Sequence, residues 1–158
     1  MRGLRALRSK WARFARLDGR RRTLLLEAVL WLALARLVLL LVPFPYIARR
    51  LGIFSAPAAG LTKGRPEDPP PGMAGLARDI GWAVTRAARH VPFKAVCLPQ
   101  ALAAKIMLRR RRVSAVLYFG VARAAEGPIE AHAWLLAAGV EVTGYPVAER
   151  FTPIACFV

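Results

Sequence analysis

The chain contains no asparagine, a single glutamine (Gln100), two cysteines, two histidines and nine acidic residues. Each shortage excludes something. Without asparagine, the amide that often orients a catalytic imidazole cannot be supplied by that residue type. Two cysteines, one of them (Cys156) close to the C-terminal end, cannot build a disulfide framework, so a reducing, cytoplasmic setting is the default expectation. Neither cysteine belongs to a CxxC pair and the histidines lie far apart, so no metal-ligand spacing exists and no cofactor is expected. There is no nucleotide-binding glycine fingerprint and no internal repeat. The few acids face twenty-five basic residues, only four of them lysine, for a formal charge of +16. Such a surface attracts anionic partners: a membrane, nucleic acid or an acidic peptide.

What is present divides into three parts. Residues 1–54 form a basic and then hydrophobic region, expected to be helical, with arginines from Arg2 through Arg20-Arg21-Arg22 followed by an apolar run. Residues 55–72 are rich in proline and glycine and read as a linker. Residues 73–158 carry the patterning of an α+β domain.

The apolar run from Thr23 to Val42 is long enough to span a bilayer. Its ten leucines and three valines favour insertion by about 4–8 kcal/mol, and Glu27 and Arg36 oppose it by about 5–7 kcal/mol. The sum is near zero. Glu27 and Arg36 lie half a turn apart, so the helix has no single wet face. A helix packed on the domain or on a partner is therefore preferred over a span. Membrane association through residues 1–47 is the alternative, with the arginine-rich segment lying on anionic lipid. The basic stretch is too long for a cleavable signal peptide, and no small-residue cleavage site follows it.

In the C-terminal part, Leu76, Ile80, Val84 and Ala87 recur at helical spacing, predicting a helix over 73–90. A second helix is predicted over 98–110, with Leu98, Leu102 and Ile106 on one face and Arg109 to Arg112 at its end, where cations are favoured. Strands are expected at 113–122, 129–136 and 140–143, the last two joined by the Ala137-Ala138-Gly139 turn, and a final strand within 151–158.

Cys97 stands where the loop His90–Val96 turns into the second helix, and Pro99 suits that first turn. Backbone N–H groups and the positive helix end at such a junction favour a thiolate. Some thirty-five residues on, His132 sits inside a strand-like run. A thiol and a base are the minimum for thiol nucleophilic catalysis. Cysteine at the start of a helix followed by an antiparallel sheet bearing histidine is the papain-like and transglutaminase-like order.

Arg89-His90-Val91-Pro92, Cys97-Leu98-Pro99-Gln100-Ala101-Leu102, the arginine-rich helix end, Gly120-Val121 and Ala131-His132-Ala133-Trp134 followed by Gly139 resemble, in order and spacing, the leader peptidases of lasso-peptide biosynthesis. The upstream Leu41-Val42-Pro43-Phe44 and Arg49-Arg50-Leu51-Gly52 are similar to the first half of those proteins. The resemblance implies a transglutaminase-like fold and removal of a leader from a ribosomally made precursor peptide. It also implies two partners, a small leader-binding protein and an ATP-dependent cyclase. It assigns the nucleophile to Cys97 and the base to His132. The family's third, acidic member commonly lies twelve residues past the histidine, and here that position is Gly144. Glu141 falls on the opposite strand face, leaving a dyad, or a backbone carbonyl or Glu149, to hold the imidazole.

The blander readings are that Cys156 is a buried hydrophobe, that His90 closes a helix end, that Arg109 to Arg112 is a solvated cap, and that Gln100 and Trp134 pack or position. Two rival functions follow: a transglutaminase-like scaffold that presents precursor without cutting it, and a basic protein of a membrane surface. Nucleic acid is not expected, since the basic runs lack interleaved aromatics apart from Trp11 and Phe14, and carry no recognition motif.

Overall fold

Asp18 starts the first helix earlier than the apolar run does. Its carboxylate accepts the Arg21 N–H at 2.6 Å, so α1 covers Gly19–Leu41. The computed structural model describes residues 17–64, 70–123 and 127–158. Most of the basic N-terminal stretch, residues 1–16, lies outside them. After α1 come α2 (Phe44–Leu51), β1 (Phe54–Ser55), α3 (Pro57–Gly64), α4 (Met73–Ala88) and α5 (Cys97–Arg109). The chain then runs through β2 (Val116–Arg123), β3 (Ile129–Ala137), β4 (Val140–Thr143), a 3₁₀ turn (Val147–Arg150) and β5 (Thr152–Phe157).

The five strands form one sheet in the order β1-β5-β2-β3-β4, with every described pairing antiparallel. Ala138 and Gly139, both at positive φ, make the two-residue turn between β3 and β4. Side chains alternate along a strand, so each strand feeds two cores. One face of the sheet (Leu117, Ala133, Leu135, Ala137, Phe157) packs with Leu24, Ala28 and Leu32 of α1, Ile80 and Val84 of α4, and Leu102, Met107 and Leu108 of α5. The other face (Val116, Tyr118, Trp134, Leu136, Cys156) packs with Ala148 and Phe151.

Three expectations change. The segment 55–72 is not irregular throughout, because it holds α3. Pro57 opens that helix, and Gly60 lets it approach the sheet: a Cβ there would stand 2.7–2.9 Å from the Tyr118 hydroxyl, the Cys156 sulfur and Val116. Residues 65–69 of the same segment fall outside the described residues. Arg111 is not simply solvated either. Its guanidinium donates to both Glu27 oxygens, at 3.1 and 2.6 Å, and binds α1 to the end of α5. This hydrogen bonding holds the Glu27 carboxyl below its ordinary value, against the opposing effect of burial. Finally, the face of α5 that meets the core is wider than a leucine stripe. Ala101, Ala103 and Ala104 are buried beside Leu102, Met107 and Leu108, and these alanines allow close helix packing.

Candidate active site

Cys97 is the first residue of α5. Val96 caps the helix with extended backbone and no side-chain hydrogen bond, so the first-turn N–H groups are left to other acceptors. The Gln100 amide donates to the Ala95 carbonyl at 2.6 Å and ties the preceding loop to the helix. Gln100 thus positions the approach to Cys97. Cys97 is half-buried, at the border of the core between the helices and the sheet, where Phe119 also packs.

The height of Cys97 along the sheet follows from Lys105. Its ammonium donates to the Ala115 carbonyl at 2.7 Å and to that of Phe157 at 3.0 Å, pinning α5 to the start of β2. The chain reverses at Arg110–Arg112, so β2 returns alongside α5. Eight helical residues back from Lys105 is about 12 Å, the length of three to four strand residues. That brings Cys97 about level with Tyr118 and Phe119, which pair with Trp134 and Ala133, next to His132 in β3. The two expected site residues therefore share one end of the molecule.

Their side chains take different faces. His132 alternates with Ala133 and stands with Trp134 on the second core. Its ring stacks on Phe151 (centroids 4.8 Å apart) and on Trp134 (6.1 Å), and Trp134 stacks on Tyr118 (5.6 Å). No hydrogen bond joins Cys97 and His132 among the described residues. The thiol–imidazole pair expected from the sequence is not formed in this arrangement. β4 pairs with β3 only as far as Thr143 opposite Leu135, and beyond it Gly144 lies against Ala133 and Trp134.

The imidazole is held from the position where the family pattern has its acid. His132 Nε2–H donates to the Gly144 carbonyl at 2.9 Å. A carbonyl can only accept, so in the neutral ring the lone pair is on Nδ1, the nitrogen a base would use. Gly144 has φ +90°, and a Cβ there would lie 2.6 Å from Trp134 Cβ and 2.9 Å from the Ala133 oxygen. The backbone takes over the orienting role while leaving no room for a side chain. Gly120, opposite His132, is required for a similar reason, since a Cβ would meet the Trp134 ring at 2.6 Å. Glu149 is exposed and does not make the bond to His132.

The remaining cysteine and histidine behave as packing groups. Cys156 is fully buried against the Ser55 and Ala56 carbonyls, and burial pushes its thiol pKa up. His90 is exposed at the end of α4 and bonds to the Arg86 carbonyl at 2.8 Å. Sequence reasoning missed Phe151, which has no local signature. It also missed Lys105, although a lysine seven residues after Leu98 on an apolar helix was a visible signal. Burial pushes the Lys105 ammonium down to about 8.

Residues 38–156 match the model of the transglutaminase-like superfamily, well over half of the chain. No curated protein and no solved structure matches it at a significant level. The match begins near the end of α1 and contains both Cys97 and His132.

Proposed function

The chain belongs to the transglutaminase-like superfamily, and from that premise we propose that it is a cysteine peptidase removing the leader from a ribosomally made precursor peptide. The observation that carries this reading is the place of Cys97, first residue of a helix whose leading N–H groups have no side-chain cap. The Cys97 thiol passes its proton to the His132 imidazole, and the thiolate attacks the scissile carbonyl. The first-turn N–H groups stabilise the oxyanion, by roughly 3 kcal/mol per donor. His132 gives a proton to the departing amine, and water then hydrolyses the thioester. For these proton transfers β3 has to rearrange at His132 as substrate binds, because the imidazole points to the face opposite α5. An amine in place of water would make the same acyl-enzyme a transamidation intermediate. The motifs around Cys97 and His132 point to a lasso-type precursor, a leader-binding partner protein and an ATP-dependent cyclase.

The test is mass spectrometry of a precursor incubated with this protein and its leader-binding partner. Wild type releases the leader, Cys97→Ala releases none, and His132→Ala slows release by about 10²–10⁴-fold. Cleavage by Cys97→Ala at the wild-type rate would end the proposal. The stacking of His132 on the far face favours one second reading, a scaffold that presents precursor to the cyclase. In that case Cys97→Ala would support ring closure by the partners as well as wild type does, and neither form would cut.

A further inference from the structure

The outward side of α1 does nothing for the fold. Leu24, Ala28, Leu32 and Ala35 face the core, and Leu25 is also buried. At 100° per residue, Leu26, Val29, Leu30, Ala33, Leu34, Leu37, Leu40 and Leu41 make the opposite arc, and all of them are exposed; Leu26 is 62% and Leu41 72% accessible. Glu27 and Arg36 border this arc on its two sides and do not interrupt it. Glu27 turns inward to Arg110 and Arg111. Glu27 and Arg36 lie half a turn apart, as expected, but at the two boundaries of the arc, so the apolar face between them is continuous. The strip runs about 22 Å along the helix.

We propose that this face of α1 seats the protein on the surface of a bilayer carrying anionic lipid, lying in the interface and not crossing it. Crossing is opposed by the attachment of α1 to the domain: Leu24, Ala28 and Leu32 are in its core, and Arg20–Asp79 (2.9 Å) and Glu27–Arg111 (2.6 Å) bind it from the side. Two observations favour lipid over a protein partner. Between Leu26 and Leu41 the arc offers no polar side-chain atom to set the register of a protein interface, which normally carries about one hydrogen bond per 100–200 Å². It is also flanked by cations. Arg22 is exposed on the same arc at its N-terminal end, and Arg49 and Arg50 are exposed on α2 just beyond its C-terminal end. Apolar residues entering the headgroup boundary with arginines at their ends is the design of an interfacial helix. The inference does not depend on whether Cys97 is catalytic.

The experiment is flotation of the full chain with phosphatidylglycerol-containing vesicles and with pure phosphatidylcholine vesicles. Wild type is expected to float with the anionic vesicles and much less with the neutral ones. Leu30→Glu combined with Leu37→Glu lowers anionic-vesicle binding by about tenfold or more, with the far-ultraviolet circular dichroism unchanged. A second variant, Leu37→Trp, keeps the strip apolar, and its emission shifts to the blue when anionic vesicles are added. Wild type remaining in solution with both vesicles overturns the proposal. So does undiminished binding of the double variant, which would assign the attraction to the basic residues alone. A dimer in light scattering that the double variant dissolves would give the face to a second copy instead.

Discussion

The two faces of the sheet are made from the same strands and are chemically unlike. Toward the helices β3 presents Ala133, Leu135 and Ala137, while toward the other core it presents His132, Trp134 and Leu136. Small residues on the first face, Ala133 and Ala137, pack with α5, whose height along the sheet Lys105 sets. Rings on the second form a ladder, Tyr118–Trp134–His132–Phe151, that holds the imidazole. One four-residue motif, Ala131-His132-Ala133-Trp134, thus serves both faces. A histidine motif in a strand is as much a statement about its alternate neighbours as about the histidine.

The comparison can be broken from the aromatic side first. Trp134→Ala removes the middle of the ladder and should cost about 3–5 kcal/mol in urea unfolding. A loss under about 1 kcal/mol would mean that the rings do not form a packed core. Installing the family's acid is a sharper test. Gly144→Asp has to adopt a positive φ and displace the Trp134 side chain, so it should destabilise by about 1–3 kcal/mol and fail to speed precursor cleavage. A faster, equally stable variant would show that the carbonyl is a poor substitute for a carboxylate.

On the helix face the effects are smaller. Glu27→Gln leaves the Arg111 guanidinium without its charge partner and should cost about 1–2 kcal/mol, seen as a lower urea midpoint at pH 7. Since the folded state lowers the Glu27 pKa, its contribution is present above the ordinary value of 4.5 and is lost as pH falls through the folded value. The acid limb of the stability curve should therefore flatten in the variant. Lys105 gives the opposite trend. Its folded pKa is about 8 against an ordinary 10.5, so between those values the unfolded chain binds more protons and stability rises with pH. Below about pH 8 both states are charged and the lysine adds no pH dependence. Urea midpoints from pH 8 to 10.5 should climb in wild type relative to Lys105→Met; parallel curves would contradict the burial of the ammonium.

Much of this architecture was legible in residue order. The helix over 73–88, the Ala138-Gly139 turn and the strands on either side of it follow from periodicity and turn chemistry, which are local. The helix start at Cys97 was equally plain, because Pro99 and the apolar run after it leave little choice. The short helix α3 within the linker was not legible, because Gly60 meets Tyr118, Val116 and Cys156, residues more than fifty positions away. Arg111 looked solvated for the same reason: its partner, Glu27, lies in another helix.

By itself the amino-acid order settled the element types, the superfamily-type succession of cysteine helix and histidine strand, and the helical apolar run near the N-terminus. Those properties come from local conformational preference and side-chain spacing. Only the folded chain decided that His132 rests on aromatic rings across the sheet from Cys97 and takes its hydrogen bond from the Gly144 backbone. Only the fold, too, divided α1 into a buried stripe and an outward one. Strand parity, sheet edges and helix facing are relations between segments distant in sequence, so no window of residues contains them.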